Sequence, residues 1–122
     1  MSLIEDKSQA TYQIQSYSPD GAVINGEQYS KSLIISPDRL LPDWPVRDLD
    51  AINDQYLLQL LDFQPNIILL GTGLRSIIPP AKTLQVLLSR QFQVECMSTP
   101  AACRTYTVLA AEGRRVVAGL IL

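Results

Sequence analysis

Asn66-Ile67-Ile68-Leu69-Leu70-Gly71-Thr72-Gly73 runs four aliphatic side chains straight into a glycine pair. A run this short, bounded by Pro65 and Gly71, reads as a strand buried on both faces, as the central strands of α/β sheets are. Glycine at the end of such a strand permits a sharp turn and the close approach of a ligand or another chain segment. Open α/β sheets place their ligands at that corner.

Working outward toward the C-terminus, Pro79-Pro80 introduces a helix whose apolar stripe is Leu84, Leu87 and Leu88, with Arg90 near its end. Phe92-Gln93-Val94-Glu95-Cys96-Met97 follows as a strand, in which Cys96 is expected to be buried. Strand, helix and strand make a βαβ unit, so the strands at 67–70 and 93–97 are expected to be parallel, with a right-handed crossover. Ser98 or Thr99 caps the next helix, and Pro100 suits its first turn. Ala102, Tyr106, Leu109 and Ala110 mark its buried face, and Gly113 ends it as the residue after the cap. Residues 116–122 are almost unbroken apolar, which predicts a further buried strand.

Toward the N-terminus, Leu49, Ile52, Tyr56 and Leu60, widened by Leu57 and Leu61, keep helical spacing. That helix is expected to start at Asp48 or Asp50 and to stop at Gln64-Pro65. Pro37, Pro42 and Pro45 make residues 36–47 irregular, with Trp44 packing beneath them. Residues 12–17 alternate apolar with polar, Ser18-Pro19-Asp20-Gly21 is a turn, and Asn25-Gly26 is a hairpin signal after residues 22–25. Residues 29–35 complete an antiparallel meander, and residues 1–11 are expected to fray. The expected class is a three-layer α/β fold with a mixed central sheet, parallel βαβ units and an N-terminal antiparallel β-meander. It is read as a single domain over residues 1–122.

Composition narrows the chemistry. The 122 residues carry a net charge of −2, which argues against a nucleic-acid partner, since such binders normally show a basic face. The charge is uneven: residues 1–61 hold nine acidic and four basic side chains, and residues 62–122 hold three and six. An acidic partner or small anion would favour the second half, although a solvated surface accounts for the same distribution. No apolar run reaches membrane-span length, and the first residues resemble neither a secretory signal nor a transit peptide, so a cytoplasmic bacterial protein is expected. The absence of histidine removes Ser-His-Asp and Cys-His catalysis and histidine metal ligands together. Cys96 and Cys103 alone cannot build a four-thiolate zinc site. No metal and no cofactor is expected.

The candidate ligand site consists of Gly71, Thr72, Gly73, Arg75, Ser98, Thr99, Cys103 and Arg104. Gly71-Thr72-Gly73 is not a dinucleotide fingerprint, because Ser76 stands where the third glycine belongs. A P-loop lysine is also missing. Parallel strands end on the same edge, so the glycine turn should lie beside the helix start at Thr99. Amides there, with the Thr72 hydroxyl, Arg75 and Arg104, would suit a carboxylate or phosphate. A purely structural turn between strand and helix is the plainer reading of the glycines. Cys103, near a helix N-terminus and next to Arg104, is either a reactive thiolate or a small buried residue. No pair of carboxylates suggests acid–base catalysis.

Met97-Ser98-Thr99-Pro100-Ala101-Ala102-Cys103-Arg104-Thr105-Tyr106-Thr107-Val108-Leu109, followed by Glu112-Gly113-Arg114-Arg115-Val116, resembles a family of small Mth-type α/β domains. That family includes mitochondrial respiratory complex I assembly factor three and uncharacterised bacterial and archaeal relatives. The spacing of Gly71-Thr72-Gly73 and Pro79-Pro80 from this block also matches, over roughly residues 30–122. Thr107 stands where the family usually has Asn, and Pro100 where it often has Gly. The resemblance implies a three-layer fold, no established catalytic activity and, for the mitochondrial branch, assembly work through partner binding. The expectation is a non-catalytic protein that acts on an unidentified protein partner as an assembly or chaperone-like accessory factor. The alternative is a small-molecule or anion-binding protein, or an enzyme, using the glycine-turn pocket.

Overall fold

A computed structural model describes residues 10–122. Three short strands, β1 (Ile14–Ser18), β2 (Gly21–Ile24) and β3 (Glu27–Tyr29), form an antiparallel sheet. Asn25 and Gly26 both take positive φ in the β2–β3 hairpin, as a tight primed turn requires. The central sheet has the order β5-β4-β8-β6-β7. Its strands are β4 (Leu33–Ile35), β5 (Leu40–Leu41), β6 (Ile67–Gly71), β7 (Gln93–Met97) and β8 (Val116–Leu120). β6 runs parallel to both β7 and β8, and β4 pairs antiparallel with β8 and β5. The parallel βαβ expectation holds, and the sheet is mixed.

Side-chain alternation explains why the aliphatic runs become central strands. Ile67 and Leu69 enter one core, with Leu33, Ile35, Val116, Ala118 and Leu120, beneath helix α3 (Thr99–Ala111) and the small sheet. Ile68 and Leu70 enter the other, with Ile34, Val117 and Trp44, beneath helices α1 (Asp54–Leu61) and α2 (Gln85–Leu88). A strand flanked by two cores has no use for polar residues on either face. Trp44 is buried under the proline-rich loop as expected, and its indole N–H donates to the Tyr56 carbonyl at 3.3 Å. Its ring lies over Gly119, where an added Cβ would come within 2.9 Å of Cη2 and Cζ3.

Several boundaries differ from the sequence reading. Residues 29–35 are not one strand: β3 ends at Tyr29, and Leu33-Ile34-Ile35 crosses into the central sheet. Three consecutive buried aliphatics are better satisfied between two cores than in a small sheet with a solvated face. Asp48 caps a separate 3₁₀ turn, Leu49–Ala51, by accepting from the Ala51 N–H, and Asn53 caps α1 through the Tyr56 N–H. The helix after Pro79-Pro80 is shorter than expected. Thr83, Leu84 and Gln85 donate three residues back, to Pro80, Ala81 and Lys82, and α-helical winding begins only at Gln85. Thr11, expected to fray, donates its N–H to the Pro37 carbonyl at 2.8 Å. The rest of that expected frayed segment, apart from Ala10, lies outside the described residues. Cys96, placed in the buried sheet by its strand pattern, is half-buried because β7 is the sheet's edge.

Candidate functional site

The β6 and β7 strands end side by side, and the loops leaving them interlock. Gly71 carries no side chain because α3 begins directly over it. A Cβ there would stand 3.0 Å from Thr99 Oγ1 and 3.1 Å from the Leu120 side chain. Gly73 takes φ +96°, a conformation that penalises any Cβ. Gly73 and Thr99 bind each other reciprocally: the Gly73 N–H donates to Thr99 Oγ1 at 2.8 Å, and the Thr99 N–H donates to the Gly73 carbonyl at 2.7 Å. The Thr99 hydroxyl then donates to the Ile121 carbonyl at 2.7 Å.

Thr72 pins the next turn. Its N–H donates to the Met97 carbonyl at 2.8 Å, and its hydroxyl lies 2.5 Å from the Arg75 carbonyl and 3.1 Å from that of Met97. The same oxygen accepts the Ile77 N–H at 3.1 Å. At the start of α3, Ser98 Oγ accepts from the Ala101 N–H and the Ser98 carbonyl accepts from Ala102, while Pro100 has no N–H. The amides expected to face an anion are therefore occupied within the chain, because glycine turn and helix cap satisfy each other.

Gly71, Thr72, Gly73, Ser98 and Thr99 are thus brought together. Arg75 contributes its carbonyl to the turn while its side chain is exposed. Arg104 opens instead onto a shallow groove between α3 and β1, with Ile14, Tyr17, Pro100, Cys103 and Val108. Cys103 is buried, as the second of its two sequence readings has it; burial pushes its thiol up to about 11, and Arg104 offsets only part of that. A desolvated thiol holds its proton.

The latched loop, whose Leu74-Arg75-Ser76 already reads as exposed in the sequence, carries an apolar surface that stands outside the expected site. Leu74 is 76% exposed, Ile77 42% and Ile78 83%. The signal was available: these apolar residues, set between Gly73 and Pro79, follow neither a strand nor a helix period. A feature the sequence reading missed braces the far end of β6. Arg115 pairs with both Asp38 oxygens at 3.2 and 3.3 Å and donates to the Phe63 and Gln64 carbonyls. Hydrogen bonding from Arg115 is the main reason the Asp38 carboxyl lies below its ordinary value.

Residues 14–121 match the family model described as a protein of unknown function (DUF498/DUF598). The chain belongs to this family. A Danio rerio protein named NADH dehydrogenase [ubiquinone] 1 alpha subcomplex assembly factor 3 is 34% identical over 99% of this chain and 70% of its own length. A Francisella tularensis protein named 13 kDa major membrane protein is 31% identical over 95% of each chain. A Bordetella pertussis solution structure described as an Mth938-like domain is 28% identical, with a TM-score of 0.79 over 98% of this chain and 91% of its own. The family resemblance and the mixed α/β architecture expected from the sequence are thus both found. Among the described residues no helix is long and apolar enough to cross a membrane.

Proposed function

We propose that this chain acts without catalysis, holding a protein partner in the cytoplasm as an assembly or chaperone-like accessory factor. The partner docks on the apolar loop at residues 74–78. The observation that carries this reading is the exposure of Leu74, Ile77 and Ile78 within five residues. Single exposed aliphatics are ordinary, but three on one loop form a patch of the kind that partners cover. The loop is also held: Thr72 ties both its Arg75 carbonyl and its Ile77 N–H. A preformed apolar surface costs less ordering entropy on binding than a floppy one. The relatives named as complex assembly factors lend the reading its class.

The test compares affinity-tagged wild-type protein with a Leu74→Ser/Ile78→Ser double variant in native extract. Both sites are exposed, so the variant should melt like the wild type. Loss of a co-purifying partner from the variant is the expected result. An unchanged set of partners on the variant would remove the loop from the reading.

A further inference from the structure

The loop does not stand alone, because the strand beside it has an open edge. Among the described residues, β7 pairs with β6 alone. The Met97 carbonyl accepts from Thr72 on the β6 side, which sets the phase of the whole strand. Peptide groups alternate in direction along a strand, so those of Gln93, Glu95 and Met97 turn toward β6. Those of Val94 and Cys96 turn outward, presenting two N–H donors and two carbonyl acceptors at the edge. Among the described residues, no backbone bond from a loop or helix covers them. Val94 and Cys96 are correspondingly half-buried, whereas every residue of β6 is buried.

We infer that this edge accepts an extended segment of the protein partner as a sixth strand, and that the segment alternates basic with aliphatic side chains. The inference rests on the partner-binding reading and specifies its mode. The two faces of β7 dictate the alternation. Val94 and Cys96 pack toward the α1–α2 core, on the side of α2, where Leu88 is 39% exposed. Residues laid opposite them meet aliphatic surface. Glu95 lies on the opposite face and is exposed. Among the described residues its carboxylate holds only the Gln93 side-chain amide, at 2.7 Å, and no cation. A lysine or arginine opposite Glu95 supplies the missing charge.

The same glutamate disfavours a second copy of this chain as the occupant. An antiparallel pairing of two β7 strands that uses all four outward groups of each sets Val94 against Cys96. Glu95 of one copy then stands directly opposite Glu95 of the other. Like charges at that position repel, which is how natural edges avoid self-pairing while admitting a complementary strand. Strand addition of this kind takes its affinity from backbone bonds and its selectivity from alternate side chains.

The test is a titration of the full, ¹⁵N-labelled chain with three synthetic hexapeptides: alternating lysine–valine, the same peptide N-methylated on one backbone edge, and alternating glutamate–valine. Expected are amide shift changes at Val94 and Cys96 with the lysine–valine peptide and about tenfold weaker binding of the N-methylated one. Glu95→Lys should reverse the preference toward the glutamate–valine peptide. Equal affinity for the N-methylated peptide, shifts confined to residues 74–78, or no shifts at all would overturn strand addition. So would a wild-type dimer, seen by sedimentation, that protects Val94 and Cys96. None of these results depends on the Leu74→Ser/Ile78→Ser comparison in extract, so the loop and the edge can fail separately.

Discussion

Thr99→Val should be among the most damaging single-atom changes available in this chain. Thr99 has no exposed surface, and its hydroxyl serves two partners, accepting from the Gly73 N–H at 2.8 Å and donating to the Ile121 carbonyl at 2.7 Å. Valine preserves volume and β-branching, so no cavity opens and the polar loss is isolated. Leaving a buried donor or acceptor without a partner costs about 1–3 kcal/mol. Ile121 is buried and pays that fully, whereas Gly73 is half-buried and recovers part of its loss from water. The sum is about 2–4 kcal/mol, or about 8–15 °C in Tm for a domain of this size. Urea denaturation gives the free energy, and thermal unfolding by circular dichroism gives the shift. Amide exchange at Gly73 should accelerate well before that at Ile68, since the latch opens before the core. Thr99→Ser, which keeps the oxygen, should lose markedly less. A Thr99→Val loss below about 0.5 kcal/mol, the range of ordinary surface changes, would refute the latch. So would an equal loss in Thr99→Ser.

Gly119→Ala should cost about 1–3 kcal/mol through overpacking, because its Cβ would meet the Trp44 ring at 2.9 Å. The cost should shrink in a Trp44→Phe background, and double-mutant denaturation curves that simply add would speak against the contact. With Ellman's reagent at about pH 8, Cys103 should stay unreactive in the native protein while half-buried Cys96 reacts slowly. Both thiols should react at once in denaturant, and fast native labelling of Cys103 would contradict its burial. Asp38 is lowered from 3.8 by its hydrogen bonds from Arg115, so its folded pKa lies below its unfolded one. Its stabilising contribution is therefore fully present above the unfolded value and disappears as pH falls through the folded one. Asp38→Asn should be less stable than wild type at about pH 6, with the gap narrowing as pH falls below the ordinary carboxylate range, by urea denaturation. A difference that survives acid undiminished would reject the ion pair as its source.

Local signals carried much of this molecule. Four aliphatics ending in Gly71, the Asn25-Gly26 turn, Ser98 before Pro100, and Gly113 after α3 each act over a few residues of chain. Their meaning therefore survives without tertiary context. The parallel pairing of β6 and β7 was legible for the same reason, since a strand, a short helical segment and a strand leave the chain little alternative. The resemblance to the Mth-type family also lay in such contiguous blocks. Local pattern puts Leu33-Ile34-Ile35 in the N-terminal meander, because both sheets can pair an aliphatic strand. Only the presence of two cores selects the central one. No local signal reveals that the glycine-turn and helix-cap amides are spent on each other. Those bonds join Gly73, Thr99 and Ile121, which stand more than twenty residues apart along the chain and meet only when three segments end together. The free edge of β7 is decided in the same way. Strand order belongs to the assembled sheet, and no residue of β7 encodes by itself that β7 is the last of the described strands.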